Sequence, residues 1–296
     1  MINSFIEYLI QEKNYSPLTV KAYEGDIREF QKFNAAQFEQ ESINEVTYTQ
    51  IRTWIVNLSE QKISNRSINR KVSSLRAYYR FLLKLELISE NPLAKHKALK
   101  VSKKQQLPFS KSEMDELFKL FSVENSFVGL RNQLIIELFY ATGIRRIELV
   151  NLKLSDINLD NKTLKVLGKR NKERILPLIG SIQSEFKLYL AKRKEVEKAE
   201  SESYLFLTEK GAKIYETLVY RVINEYFSKV SSKVKRSPHM IRHTFATHLL
   251  NQGANLNAVK ELLGHSSLAA TQVYTHNSIN ELKKVYSKTH PRSKNM

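Results

Sequence analysis

Four stretches within residues 1–93 repeat apolar side chains at helical spacing, and no other feature constrains the fold as much. Ile2 to Lys13 carries Phe5, Ile6, Leu9 and Ile10, and apolar residues three and four apart share one helical face. Ser16-Pro17 predicts the start of a second helix, with Ser as N-cap and Pro at the first helical position. Its stripe is Val20, Tyr23, Ile27 and Phe30. Thr47 caps a third helix bearing Ile51, Trp54, Ile55 and Leu58. Ser64 caps a fourth, running to about Leu87, with Ile68, Val72, Leu75, Tyr79 and Leu82 inward. Asn91-Pro92 ends the run. The expectation is a helical bundle over residues 1–93.

The fourth helix also carries Arg66, Arg70, Lys71, Arg76, Arg80 and Lys84 with few acids nearby. A basic helix can be a solvated face, and it also suits tracking along phosphates. The whole chain points the same way. Its 296 residues hold 48 Lys and Arg against 30 Asp and Glu, a net charge of +18, which makes a polyanion the leading partner. Residues 94–108 contain Lys95, Lys97, Lys100, Lys103 and Lys104, no acid and little periodicity, and read as a basic interdomain linker. There is no Cys, so disulfides, a thiolate nucleophile and Cys-ligated zinc are excluded. No apolar run reaches the roughly 18 residues that span a bilayer, and the N-terminus lacks the basic and apolar regions of a signal peptide. A cytoplasmic protein is expected, with no membrane association.

A second domain over residues 109–296 begins at Ser110-Lys-Ser-Glu113, a capping-box pattern, followed by Met114, Leu117, Phe118 and Phe121 on one face. Arg131 to Ala141 reads as a strongly apolar, buried helix stopped by Thr142-Gly143, where Gly can take a left-handed C-cap. A short helix starts at Arg145. Then the period changes to two: Ile157 and Leu159, a turn at Asp160-Asn161-Lys162, a strand with Leu164, Val166 and Leu167, a turn at residues 168–172, and a third strand from Arg174 to Leu178. Glu195 to Ser203 reads as an exposed loop or helix end. Helices are expected from Ile182 to the C-terminus. The fold class is therefore mainly α with a small antiparallel β-sheet.

The chemistry concentrates between His239 and Tyr274. His239 and Arg242 are three apart on one face of a helix that Ser237-Pro238 begins, and that helix start aims backbone N–H groups at an anion. Leu263-Gly264-His265 places an imidazole just past a helix C-terminus, where capping is an ordinary role. Ser266-Ser267 caps a short helix ending near Tyr274. Upstream, Thr142-Gly-Ile-Arg-Arg-Ile-Glu148 sets two arginines beside a carboxylate. A Tyr hydroxyl is only about one part in a thousand ionised at neutral pH, so as a nucleophile it needs a base or a positive field. Attack on a phosphodiester loads charge onto the non-bridging oxygens. Metal nucleases answer it with clustered carboxylates, and no paired-carboxylate motif is evident here. Arginine forks can grip two phosphate oxygens instead. Taken singly, each of these residues also fits packing, capping or solvation.

Together they resemble the tyrosine recombinase, or phage integrase, family. The resemblance rests on Thr142-Gly-Ile-Arg-Arg-Ile-Glu-Leu149, Gly168-Lys-Arg-Asn-Lys-Glu-Arg174, His239-Met-Ile-Arg-His-Thr-Phe-Ala-Thr-His248, Leu263-Gly-His-Ser-Ser267 and Thr271-Gln-Val-Tyr-Thr-His276, in the family's order and approximate spacing. It extends to Tyr15-Ser-Pro-Leu-Thr19 and Tyr23, similar to the family's SAM-like core-binding domain. The compact length and His290-Pro291-Arg292 look most like the bacterial XerC/XerD subgroup. The resemblance implies that Arg145 and Arg242 clamp the scissile phosphate, that Tyr274 attacks it to give a 3′-phosphotyrosine, and that Lys169 protonates the leaving 5′-oxygen. It further implies that His239 assists proton transfer, His265 hydrogen-bonds the phosphate, and Glu148 holds the site together. No metal or other cofactor is implied, and no ATP.

By chemistry alone Arg146 rivals Arg145, and alignment to Gly143 and Glu148 selects Arg145. Lys172 likewise rivals Lys169, and Arg170 stands where many relatives have Gly. Arg146, Arg170, Lys172 and Arg174 join the fourth-helix residues as expected DNA contacts, while His243, His248 and His276 read as packing or capping groups. Residues 278–286 form an amphipathic pattern that folds back in cis or, as the family implies, docks into a neighbouring protomer. The implied partners are double-stranded DNA, a homo- or hetero-tetramer holding two DNA sites, a second recombinase subunit and a septal DNA translocase. The implied activity is site-specific recombination through a Holliday junction, in chromosome-dimer resolution and thus chromosome partition at cell division. A mobile-element integrase, a type IB topoisomerase-like enzyme and a non-catalytic architectural DNA-binding protein are the alternatives.

Overall fold

The computed structural model describes residues 1–102, 107–123, 125–168, 173–178, 180, 182–201, 203–233, 235–264 and 289–291. The chain divides into two compact units, residues 1–105 and 106–296.

In the first unit the four periodic stretches are helices: α1 (Ile2–Gln11), α2 (Pro17–Phe38), α3 (Tyr48–Glu60) and α4 (Asn65–Lys84). Ser16, Thr47 and Ser64 cap α2, α3 and α4 as expected, each accepting from the backbone N–H three residues on. Thr47 and Gln50 form a full capping box. The fourth helix ends earlier than its stripe suggests, at Lys84. Phe5, Ile27, Phe30, Ile51, Trp54, Ile68, Leu75 and Leu82 form the core. Burying each such side chain is worth about 1.5–3 kcal/mol. Tyr78 and Tyr79 are enclosed with their hydroxyls donating to Asn44 Oδ1 and the Ile43 carbonyl, at 2.6 and 3.0 Å.

Part of the segment read as a linker belongs to this unit. Asn69 on α4 exchanges two hydrogen bonds with Leu99, both 2.9 Å. Asn65 Nδ2 donates to the Lys100 carbonyl at 2.8 Å, and Leu93 is fully buried. Asparagine side chains on a helix flank satisfy an otherwise aperiodic backbone, a bond pattern that hydrophobic periodicity does not register.

The second unit opens with α5 (Lys111–Lys119), whose capping box pairs Ser110 with Glu113. Helix α6 (Phe127–Thr142) is buried on nearly every face, and Gly143 ends it in the left-handed region at φ 60°. After α7 (Arg146–Val150) come β1 (Ile157–Asn158), β2 (Thr163–Leu167) and β3 (Glu173–Pro177), antiparallel in the order β1-β2-β3. Helices α8 (Ile182–Arg193), α9 (Glu216–Val230), α10 (Pro238–Asn251) and α11 (Leu256–Leu263) follow.

Helices do resume at Ile182 as expected, but the break between α8 and α9 is longer than the loop expected at Glu195–Ser203. Between α8 and α9 lie a 3-10 turn at Ala199–Ser201 and two isolated bridges, Tyr204 to Lys153 and Leu207 to Lys213. Leu205, Phe206 and Leu207 are all buried; a three-residue apolar run can be enclosed as a short extended segment without helical periodicity. Ser201, expected in an exposed loop, is buried and donates to the Gly211 carbonyl at 2.6 Å. Residues 278–286 lie outside the described residues. Among the described residues, no helix is long and apolar enough to cross a membrane.

Candidate active site

Helix α11 ends with carbonyls that no later helical N–H can satisfy, and arginines take three of them in succession. Arg174 Nε donates to the Leu262 carbonyl at 3.2 Å, Arg242 Nη2 to Leu263 at 2.6 Å, and Arg145 Nη2 to Gly264 at 3.0 Å. The negative end of the helix dipole favours cations at this point. Gly264 turns the chain at φ 62°. Arg242 Nη1 also donates to the carbonyl of Gly143, the left-handed glycine that ends α6. Both glycines thus end a helix and present a carbonyl to a guanidinium.

Glu148 offsets this cluster of like charges. Its carboxylate is buried and accepts four hydrogen bonds: from Arg145 N and Nη1, both at 2.8 Å, and from Arg174 Nη1 and Nη2, at 2.8 and 2.7 Å. A carboxylate has about four acceptor sites, and here all are used. Burial works to raise the Glu148 pKa. The paired Arg174 and the Arg145 donors more than reverse that, holding the carboxyl at about 2. Arg242 is 9% exposed. Burial and the neighbouring Arg145 and Arg174 push its pKa down to about 10, so it stays cationic at neutral pH. Three guanidiniums and one carboxylate leave two net positive charges. Every terminal guanidinium nitrogen carries two N–H groups, so Arg145 and Arg242 retain donors for an anion.

His239 lies at the exposed start of α10. Partial desolvation and the cations Arg146, Arg242, Lys235 and Arg145 lower its pKa below the usual 6.5, so it is neutral at physiological pH and able to accept a proton. His248, read as a packing residue, meets the Tyr140 hydroxyl at 2.8 Å. Among the described residues no cluster of His, Asp and Glu could hold a metal ion.

The structure therefore brings Arg145, Glu148, Arg242 and His239 together. Lys169, Arg170, Lys172, His265 and Tyr274 lie outside the described residues. Arg146 is directed differently from its neighbour Arg145, pairing with Glu216 on α9 at 2.5 Å. Of the expected contacts on α4, Arg66 and Arg80 are exposed. Arg70 and Lys71 are paired with the buried Asp26, Lys71 also with Glu29. Arg76 donates to the His96 carbonyl at 3.0 Å.

Arg174 requires a correction. Expected as a DNA contact, it is 5% exposed and committed to Glu148 and Leu262. The missed signal was strand parity: Arg174 pairs with buried Val166 and shares the inward face with Leu176, so period two puts it inside.

The chain thus joins a helical unit to a mainly helical unit with a three-stranded sheet, which gathers three arginines at a helix end. Residues 94–281 match the phage integrase family and residues 2–85 its N-terminal SAM-like domain. The chain belongs to this family and is a tyrosine recombinase, an enzyme that cleaves and rejoins DNA. It is 41% identical over 297 aligned residues to tyrosine recombinase XerC of Bacillus pumilus, covering 99% of this chain and 97% of that one. It is 36% identical to XerC of Bacillus subtilis, covering 99% and 96%. Among solved structures, the fold is shared with the Tn1549 transposon integrase in complex with transposon right end DNA, at TM-score 0.72, 19% identity and coverage of 96% and 98%. It is shared too with the XerH site-specific recombinase bound to palindromic difH substrate, at TM-score 0.72, 22% identity and coverage of 97% and 84%.

Proposed function

We propose that this chain is a site-specific recombinase that binds duplex DNA, cuts one strand at a defined phosphate and rejoins it to a second duplex through a Holliday junction. The observation that carries the reading is the arginine clamp at the end of α11. It gathers Arg145 and Arg242 around Glu148, and in sequence Gly264 is followed by His265 and, ten residues on, by Tyr274.

Arg145 and Arg242 bind the non-bridging oxygens and stabilise the charge that grows there during attack. Tyr274 attacks phosphorus, losing its proton to a base, and neutral His239 serves that transfer. The tyrosyl O–P bond forms as the P–O5′ bond breaks. Lys169 gives its proton to the departing 5′-oxygen. His265 donates to the phosphate. The bond energy stays in the phosphotyrosine, so a 5′-hydroxyl from another strand reverses the step without ATP or a metal ion. Arg66 and Arg80, with Arg146, Arg170 and Lys172, contact the DNA backbone. The proposed role is chromosome-dimer resolution, in a tetramer on two sites with a partner recombinase and a septal DNA translocase; the likeness to tyrosine recombinase XerC supports the site-specific recombination in it.

The test is to trap covalent complexes of the purified chain on fragmented genomic DNA of its source and to sequence the joined 3′ ends. The expected result is an adduct at one recurrent duplex sequence. Absence of any adduct would overturn the enzymatic reading. Adducts scattered without sequence preference would replace it with topoisomerase-like relaxation.

A further inference from the structure

A buried ion pair is expensive to desolvate, and well-packed hydrophobic residues of similar volume often serve stability as well or better. Arg174 sits where a strand residue facing Val166 would ordinarily be apolar. Its burial therefore asks for a use beyond strand packing, and the hydrogen bonds supply one.

The two terminal nitrogens of Arg174 span both oxygens of Glu148. This fork–fork contact fixes the plane of the carboxylate. The remaining acceptor site on each oxygen then faces Arg145: Oε1 takes its Nη1 and Oε2 its backbone N–H. Arg174 thus sets Glu148, and Glu148 sets both the side chain of Arg145 and the first turn of α7. The third bond, Nε to Leu262, ties the same residue to the helix end whose next two carbonyls hold Arg242 and Arg145. Arg174 is also the second residue of β3, next to the Leu167–Glu173 pair that ends the β2–β3 ladder, and five residues after Lys169 in sequence.

We infer that Arg174 is a positioning residue for the recombination reaction: it orients the phosphate clamp through Glu148 and locks the base of the β2–β3 hairpin to that clamp, without touching DNA. The inference rests on the recombinase reading and adds to it. A lysine at this position keeps the charge but cannot span both oxygens.

The test uses the full chain with Arg174→Lys, a second variant Arg174→Gln, and Arg131→Lys as comparison. Arg131 is equally enclosed in the same unit, at 4% exposure, and is bonded to Leu207 and Asn132. In DNA-free protein, the Arg145 backbone amide should exchange with deuterium about tenfold faster or more in both Arg174 variants. The amides of α10 should keep wild-type protection. On a nicked duplex carrying the trapped sequence, single-turnover cleavage should slow roughly 10- to 100-fold. DNA affinity should be retained, and the loss should persist well below the melting temperature. Arg131→Lys should lower the melting temperature without either effect. Wild-type exchange at Arg145 in the Arg174 variants, or a rate loss that follows melting temperature across all three, overturns the inference. The exchange measurement needs no DNA, so a wild-type chain that fails to cleave would refute the recombinase reading while exchange still decides the positioning role.

Discussion

Glu148 and Arg174 share two parallel hydrogen bonds, at 2.8 and 2.7 Å, between a helix start and a strand start that are 26 residues apart in sequence. The pair is enclosed, and its oxygens also hold Arg145. It links the structural logic of the second unit to its chemistry: the carboxylate that caps α7 is the one that neutralises the arginine cluster.

Removing that carboxylate strands guanidiniums in a dry site. Glu148→Ala should cost about 3–5 kcal/mol, the usual penalty for breaking a buried pair from one side, read as a lower melting temperature. The folded carboxyl binds its proton near pH 2, against an ordinary value of 4.5. Its contribution is complete above the ordinary value and disappears as pH falls towards the folded one. The melting-temperature gap between wild type and Glu148→Gln should accordingly narrow between about pH 5 and pH 2; a constant gap would contradict the assignment.

Gly143 and Gly264, the left-handed glycines that end α6 and α11, should respond unequally. A Cβ at Gly143 would lie 2.5 Å from Phe245 Cδ1 and 2.8 Å from Leu263 Cδ2. Gly143→Ala combines that overpacking with left-handed strain, about 2–4 kcal/mol together, and displaces the carbonyl that Arg242 uses. At Gly264 the nearest atom is Arg174 Cδ at 3.2 Å, part of a long side chain. Gly264→Ala should cost about 1–2 kcal/mol. Thermal melting of the two variants side by side checks the order.

Arg242→Lys should slow covalent adduct formation by about 10²- to 10³-fold, corresponding to about 3–4 kcal/mol of lost transition-state stabilisation. DNA affinity, carried by many phosphate contacts, should change little in a gel-shift titration. A parallel collapse of binding would mean that Arg242 works in the ground state.

Tyr274→Phe should bind the same DNA and form no covalent adduct on a denaturing gel. An adduct at wild-type rate would remove Tyr274 from the nucleophile's role.

The lowered pKa of His239 means that neutral imidazole is the prevalent form above pH 6.5. If it accepts the tyrosine proton, single-turnover cleavage should rise with pH through a value below 6.5 and then level off. His239→Gln should lose that acid limb and roughly 10²-fold or more in rate. An unchanged pH profile in the variant would exclude the role.

The readable part of this protein was its local chemistry. Ser16, Thr47, Ser64 and Ser110 cap helices because a short side-chain oxygen three residues before an orphan N–H needs no tertiary help. Gly143 ends α6 because only glycine takes that φ without strain. The motif residues Arg145, Glu148, His239 and Arg242 were legible because the family's motifs fix residue type and spacing. The bonding of Leu99 and Lys100 to α4 was not, because it depends on asparagine side chains reaching a distant backbone.

Sequence by itself determined the helix caps and stripes, the small antiparallel sheet, the family and the residues to suspect. Tertiary structure alone decided which partners each arginine bonds. Arg145, Arg146, Arg174 and Arg242 are alike as isolated side chains. Burial and partner geometry send Arg146 to Glu216, make Arg174 a buried counter-ion, and leave Arg145 and Arg242 grouped at the end of α11. A guanidinium's role is set by which acceptors surround it, and those acceptors come from chain segments that only folding brings together.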